Sequence, residues 1–578
     1  MSILEELNRR GVVRAAALYV AIAWGGTEIL VFLIEALWGE GTAGPARKYL
    51  AILFIAGFPV AMYLSWTRDL GLQARRVMAA ISLAALLLAA LIWLIPDPSP
   101  IRDTPELQTI DADPSSIAVL PFVNMSGNEE NIYFSQGITE ELLNVLARIP
   151  DLKVSSRTSS FHFAGTDVPL RAIAAQLDVR HILEGSVRRS NNLVRITAQL
   201  IDAKTDKHLW SETYDREILD MFAVQDEIAG EIATKLQLTI TGPAHSGRPT
   251  DSEEAYDNFL RGLHFLNEGW ARETFLKARD YFKSAIEIDP TYAQAHAMLA
   301  LTYVSLGNFR HLAPDKVLQP ARDAVSTALE LDDRLPEAWV ARGWIAITYD
   351  YDSRSAEKIF RRVIELAPSS YMGHNGLSWA LQMAGRYDEA LAAAQRANRL
   401  DPLTVHTRNL LAEVTYKRRE YDAAMKHGKA ILEMQPGDPL IVGWIGWLYA
   451  TKSMSDESLS QAGEAIILAN GDPNLELNAA VAYAMLGKTS EAGDILARAE
   501  AKIDSQFVSP GLIALVLANL GDSDQAFAWL ERAVEVYDSF IFNLDYPAWD
   551  PIRSDPRFIE LCDRLQMACA ERWESGNN

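Results

Sequence analysis

The sequence predicts a multidomain protein made of three transmembrane helices, a small α/β domain with a mixed sheet, and an all-α solenoid of helix pairs. Three observations predict it. Pro368, Pro402 and Pro436 stand 34 residues apart, each after a helical pattern that then starts again. Three apolar stretches lie within the first 95 residues, and between them and the prolines short strand-like runs alternate with helical ones.

The apolar stretches, Ala15 to Ile34, Tyr49 to Trp66 and Val77 to Ile95, are 20, 18 and 19 residues long. About 20 residues of helix cross the hydrocarbon of a bilayer, so three spans are expected. A cleaved leader would account for only one of them. Trp38, Trp66 and Trp93 fall near the ends, where aromatic rings favour the interface. Arg9, Arg10 and Arg14 precede the first span, and Arg68, Arg75 and Arg76 separate the second from the third. The other connections carry fewer basic residues, so the tail 1–14 is expected in the cytoplasm and everything after residue 95 across the membrane; a cytoplasmic location is the alternative. Glu28 lies inside the first stretch, with Glu35 one heptad later. A carboxylate in hydrocarbon must face protein or be protonated. Glu28 is thus either a signal-transmitting contact or a buried polar contact that fixes helix packing.

Residues 96–115 hold five prolines and five acidic residues without apolar periodicity, the composition of an extended spacer. From Ser116 the pattern becomes strand and helix over 116–240. Expected strands are Ile117 to Phe122, Leu152 to Ser155, Ile182 to Arg189, Leu193 to Asp202 and His208 to Tyr214. Expected helices are Thr139 to Ala147, with Thr139 as its cap, Leu170 to Leu177 and Val224 to Leu236. The order βαβαβββα indicates a small α/β sandwich with a mixed sheet. A linker over 241–253 follows.

Over 254–539 the 34-residue period is carried by more than proline. Small residues recur at Ala278, Ala390, Ala424, Ala492 and Ala526, and glycine at Gly307, Gly385, Gly487 and Gly521. A short helix pair cannot bury its apolar face alone, so each must stack on its neighbour. These residues resemble the tetratricopeptide repeat: Ala278, Phe282, Ala285 and Pro290 fit its second helix, Leu299, Ala300 and Tyr303 its first, and Trp339 with Gly343 the next unit. About eight units are expected, closed by a C-terminal capping helix region over 540–578.

The α/β segments in turn resemble a bacterial family. SIAVLPF (116–122), YFSQGITEEL (133–142), LEGSVRR (183–189), VRITAQLIDA (194–203), LWSETYDRE (209–217) and FAVQDEIA (222–229) together are similar to the TolB-like amino-terminal domain. In a bacterium, the charge asymmetry of the connections then puts residues after 95 in the periplasm, tethered to the inner membrane. Members often carry an adenylate-cyclase or winged-helix DNA-binding domain before the membrane; fewer than 15 residues precede the first stretch here, so neither effector is expected.

Charge and motif content narrow the function. The chain carries a net charge of −22, and beyond residue 96 its 70 acidic residues outnumber 46 basic ones. Nucleic-acid binding needs a basic footprint, which this balance opposes. Cys562 and Cys569, seven apart in an expected C-terminal helix, would lie about 10 Å apart along its axis, too far for a disulfide. They read as packing residues. LGKT (486–489) lacks the first glycine of a phosphate loop, Arg188, Arg189 and Arg195 read as hairpin charges kept for solubility, and the histidines show no ligand spacing. No catalytic residue, metal or cofactor is indicated, and an enzyme is not expected.

The repeats are therefore the expected contact surface. Carrying the resembled family's groove positions onto this chain selects Trp344, Asn375, Trp379, Gln382, Asn409, Glu413, Lys417 and Trp447. Aromatic anchors beside amide and charged groups suit a protein or peptide segment. Packing between helices is the competing role for Trp344 and Trp447. The expected function is a membrane-embedded, periplasm-facing adaptor that binds protein partners, with homo-oligomerisation possible. The alternative is a sensor whose α/β domain binds a small ligand and whose spans relay the signal to a separate cyclase or regulator.

Overall fold

Apolar alternation shapes the sheet. In the computed structural model, which describes residues 112–127, 131–190, 192–238, 249–269, 271–309 and 311–569, strand β1 (Ser116–Val119) is buried throughout. Ile117 and Val119 point into one apolar cluster and Ala118 into another, as the two-residue period of a strand requires. β1 pairs in parallel with β3 (Lys153–Val154) and β4 (His181–Ser190), and the short β2 (Val123–Asn124) also pairs in parallel with β4. β4, β5 (Leu193–Asp202) and β6 (Lys207–Glu217) then run antiparallel, giving the order β3-β1-β4-β5-β6. α1 (Ile132–Ala147) and α4 (Met221–Lys235) contribute to the larger cluster on one face, and α3 (Leu170–Leu177) to the smaller on the other. A short α2 (Arg157–Phe161) follows β3. Thr139 does not cap a helix: α1 starts seven residues earlier, and the Thr139 hydroxyl donates to Ser135 O at 2.8 Å while accepting from Phe122 N at 3.1 Å.

Eight helix pairs follow, their short connections folding each pair back on itself. They are α5 (Glu253–Asn267) with α6 (Arg272–Ile288), α7 (Ala293–Asn308) with α8 (Pro314–Leu331), and α9 (Pro336–Thr348) with α10 (Ser353–Leu366). α11 (Tyr371–Met383) pairs with α12 (Tyr387–Leu400), α13 (Val405–Lys417) with α14 (Tyr421–Met434), and α15 (Pro439–Thr451) with α16 (Ser455–Ala469). α17 (Pro473–Met485) with α18 (Thr489–Glu500) and α19 (Pro510–Leu520) with α20 (Ser523–Glu535) complete the array. The three prolines that set the period each stand two residues past the end of a second helix, α10, α12 or α14, where proline cannot continue the ladder. Ala278, Ala390, Ala424, Ala492 and Ala526 are fully buried, so the helices approach on a methyl group. Gly385, Gly487 and Gly521 take left-handed φ of 72°, 71° and 86° in the turns inside pairs. Gly307 does otherwise, lying within α7 where the Tyr349 hydroxyl and Val317 leave no space for a side chain.

The sheet and the array share one core. A single apolar cluster runs from Ile117 through Tyr256 and Phe282 to Tyr349. Gly137 on α1 permits that contact, since a Cβ there would lie 2.6 Å from Leu260 Cδ2 on α5. Farther along, Ser369 donates its hydroxyl to Leu152 O at 2.6 Å and accepts from Val154 N, and the Ser156 and Ser159 hydroxyls both donate to Asp401.

Two expectations are corrected. The architecture described is a mostly helical solenoid with a small mixed-sheet region, in place of one with three transmembrane helices. No helix among the described residues is long and apolar enough to cross a membrane; the expected spans, the tail 1–14 and Glu28 lie outside the described residues. The cysteines are the second. α21 (Pro556–Arg564) stops short of Cys569, Gln566 turns left-handed at φ 52°, and the chain folds back. Cys562 and Cys569 come to a Cα separation of 5.9 Å and are joined in a disulfide.

Candidate functional site

First helices of successive pairs pack on one another, α7 on α9, α15 on α17 and α17 on α19, and together form one face of the array. The C-terminal segment lies against this face. It consists of two turns of 3-10 helix, Ser539–Asn543 and Pro547–Trp549, leading into α21. The first turn is capped by Asp538, whose carboxylate also accepts from Ser509 Oγ and from Gly511 N at 2.8 Å, pinning the segment to the start of α19.

Four of the eight residues selected from the sequence meet this segment directly or through a neighbour. Lys417 pairs with Asp545 at 2.9 Å, both side chains nearly inaccessible, and its ammonium sits over the rings of Trp379 and Tyr546. Glu413 accepts a hydrogen bond from the Tyr546 hydroxyl. Burial raises its carboxyl to about 7, Asp545 adding to the rise and Lys417, Tyr546 and Asn409 opposing it. Asn409 is half-buried and hydrogen-bonded to Glu413. Trp379 meets Phe542 edge to face at 5.3 Å.

The rest divide between core and cavity. Trp447 is 1% exposed and donates its indole N–H to Asn478 O, so its role is packing between helices. Gln382 is buried with Nε2 on Ser378 Oγ, while Oε1 has no partner. Trp344 lies edge-on to Phe360 at 5.9 Å and, with Asn375 and Trp379, lines a cavity of about 480 Å³. α1 and the β3–α2 segment form one wall of this cavity and α5, α7, α9, α11 and α13 the other, with Phe542 at one side. Its apolar lining includes Met298, Phe309 and Met372. Glu140 pairs with Arg157 at 3.1 Å and Glu337 approaches Arg148 at 3.9 Å. Burial raises the Glu140 carboxyl, against the pull of Arg157 and Asn267. Its neighbour Glu141 is raised to about 8, by burial first and then by Glu140 and Glu337.

Sequence reasoning missed the C-terminal segment as an occupant of the face, and missed Glu140, Arg148, Arg157, Asn308 and Glu337 as cavity residues. The run NLDYPAWDP (543–551), rich in aromatic and acidic residues, was the available signal for the first. The second had none, because those residues meet only through the fold. The hairpin arginines are largely accounted for by ion pairs: Arg195 with Asp215 at 2.7 Å directly across the ladder, and Arg189 with Asp257 at 2.7 Å. Among the described residues no cluster could hold a metal ion.

The tetratricopeptide repeat model matches residues 352–404 and 376–439, and a second one residues 511–539. The chain carries tetratricopeptide repeats. The matches cover α10 to α14 and the last pair, which include much of the face just described. Among curated relatives, a putative adenylate cyclase 3 of Rhizobium meliloti is 39% identical over 220 residues, 37% of each chain. The transcriptional regulator HilA of Salmonella typhimurium is 24% identical over 308 residues, 52% of this chain and 53% of its own. The chain thus spans 37% to 53% of the length of these relatives. Among solved structures, PilW, a type IV pilus biogenesis factor, aligns over 37% of this chain and 94% of its own at 18% identity and a TM-score of 0.31. Human IFIT1 aligns over 54% and 77% at 15% and 0.37.

Proposed function

We propose that the protein is an adaptor whose repeat face recognises protein segments rich in aromatic and acidic residues. The observation that carries this reading is the chain's own C-terminal segment, which inserts Phe542, Asp545 and Tyr546 against Trp379, Lys417 and Glu413. A buried cation framed by aromatic rings selects a carboxylate beside an aromatic side chain, and such clusters dominate interface energies. A partner offering the same chemistry displaces the internal segment or docks alongside it, on Trp344 and Trp379. Photocrosslinking from the half-exposed Trp339 position, followed by mass spectrometry, tests the idea. A specific partner should be recovered and then lost with Trp344→Ala and Trp379→Ala; a partner retained in both variants would contradict the reading.

An extracytoplasmic location belongs to the same proposal. It is supported by the Cys562–Cys569 disulfide, because such bonds persist in oxidising compartments and are rare in the cytosol. Alkylation of intact cells with a permeant maleimide should leave both cysteines unlabelled until reductant is added. Immediate labelling would argue for the cytoplasm.

A further inference from the structure

The 480 Å³ cavity between the sheet region and the first helices of the array is built with more hydrogen-bonding capacity than the protein uses. Its volume lies in the range of small-molecule sites, which are mostly apolar with a few convergent polar groups. Here the apolar part includes Trp344 and Trp379. The polar part is unbalanced. Asn375, 2% exposed, presents an Oδ1 with no hydrogen-bond partner, and the buried Asn308 Oδ1 on the same lining has none either, while Glu337 Oε2 has only the Arg148 guanidinium at 3.9 Å. The charged donors on the lining, Arg148 and Arg157, belong to ion pairs with Glu337 and Glu140, and the Ser155 hydroxyl is able to serve either way. A buried acceptor without a donor is unfavourable, so the two amide oxygens on one cavity favour a ligand that brings N–H groups.

We propose that this cavity is a binding site for a small aromatic amine, whose ring lies against the two tryptophans and whose N–H groups donate to Asn375, Asn308 and Glu337. The site shares Trp344 and Trp379 with the adaptor reading but uses none of the contacts to Asp545 or Tyr546, and its probes read small-molecule binding alone. It also departs from a ligand held by the α/β domain alone, which supplies only one wall.

Tryptamine, which joins an indole ring to an ammonium group, is a suitable probe, and indole-3-acetate carries the same ring with an acceptor head. Titration calorimetry on the full chain should show saturable binding of tryptamine and at least tenfold weaker binding of indole-3-acetate. Asn375→Leu should weaken tryptamine by about tenfold, the cost of one buried hydrogen bond. Ser305→Trp fills the cavity from a half-buried position on its lining and should abolish binding even where Asn375→Leu fails to fold. Thermal unfolding followed by circular dichroism confirms that a variant is folded. Absence of saturable binding, equal binding of the two probes, or unchanged affinity in folded Ser305→Trp would each overturn the site.

Discussion

Lys417 shows what a single buried charge contributes. Its side chain and that of Asp545 are 0% and 4% exposed, so neither can recover its hydration when the other is removed. Breaking such a pair costs about 3 to 5 kcal/mol, and Lys417→Met should destabilise the protein by that amount in a denaturant titration. Lys417→Met with Asp545→Leu should recover most of the loss, because it replaces the pair by apolar groups. Glu141 supplies a pH effect of definite sign. Its carboxyl is raised from 4.5 to about 8 in the fold, so the folded protein holds a proton that the unfolded chain releases. That contribution is fully present below pH about 4.5 and is lost as pH rises through about 8. Stability should therefore fall across this window by up to about 1.4 kcal/mol per pH unit, and Glu141→Gln should flatten the curve. Glu413 at about 7 and Asp401 at about 6, both raised chiefly by burial, titrate in the same direction.

At the scale of elements, the repeat works because each first helix meets the second helix of its own pair and the next first helix at small residues. Phe360 on α10 is fully buried, with Gly343 on α9 and Gly376 on α11 closing over its ring. A Cβ at Gly376 would enter that ring, so Gly376→Ala should cost about 1 to 3 kcal/mol of overpacking, and Phe360→Leu in the same chain should restore part of it. Calorimetric unfolding of the native chain and the two variants checks this order. These elements were legible because they are local: proline two residues past a helix end, alanine at a fixed spacing and glycine in a turn act within one unit. Thr139 and Cys569 were misread for the opposite reason. The start of α1 follows from its packing against α5, where the Tyr133 hydroxyl donates to Asp257, and the return of Cys569 depends on a left-handed Gln566 that composition does not announce.

The whole molecule joins distant segments. Sheet, repeats and C-terminal segment meet around the face of first helices, with Ser156 on Asp401, Phe542 on Trp379, and Ala568 N donating to Met383 O at 3.0 Å. Five of the residues selected from the sequence, Trp344, Asn375, Trp379, Glu413 and Lys417, do lie at the cavity or under the C-terminal segment. Family positions led to these residues, but only the fold reveals that part of the face is already filled. The expected spans lie outside the described residues, among which no helix is long and apolar enough to cross a membrane. The central claim is that this face recognises an aromatic and acidic segment, and it is open to direct measurement. Phe542→Ala with Tyr546→Ala should free the face, and fluorescence polarisation would then follow a labelled peptide of residues 538–553. The account predicts saturable binding to the double variant and little to the native chain; no binding to the variant, or equal binding to both, would contradict it.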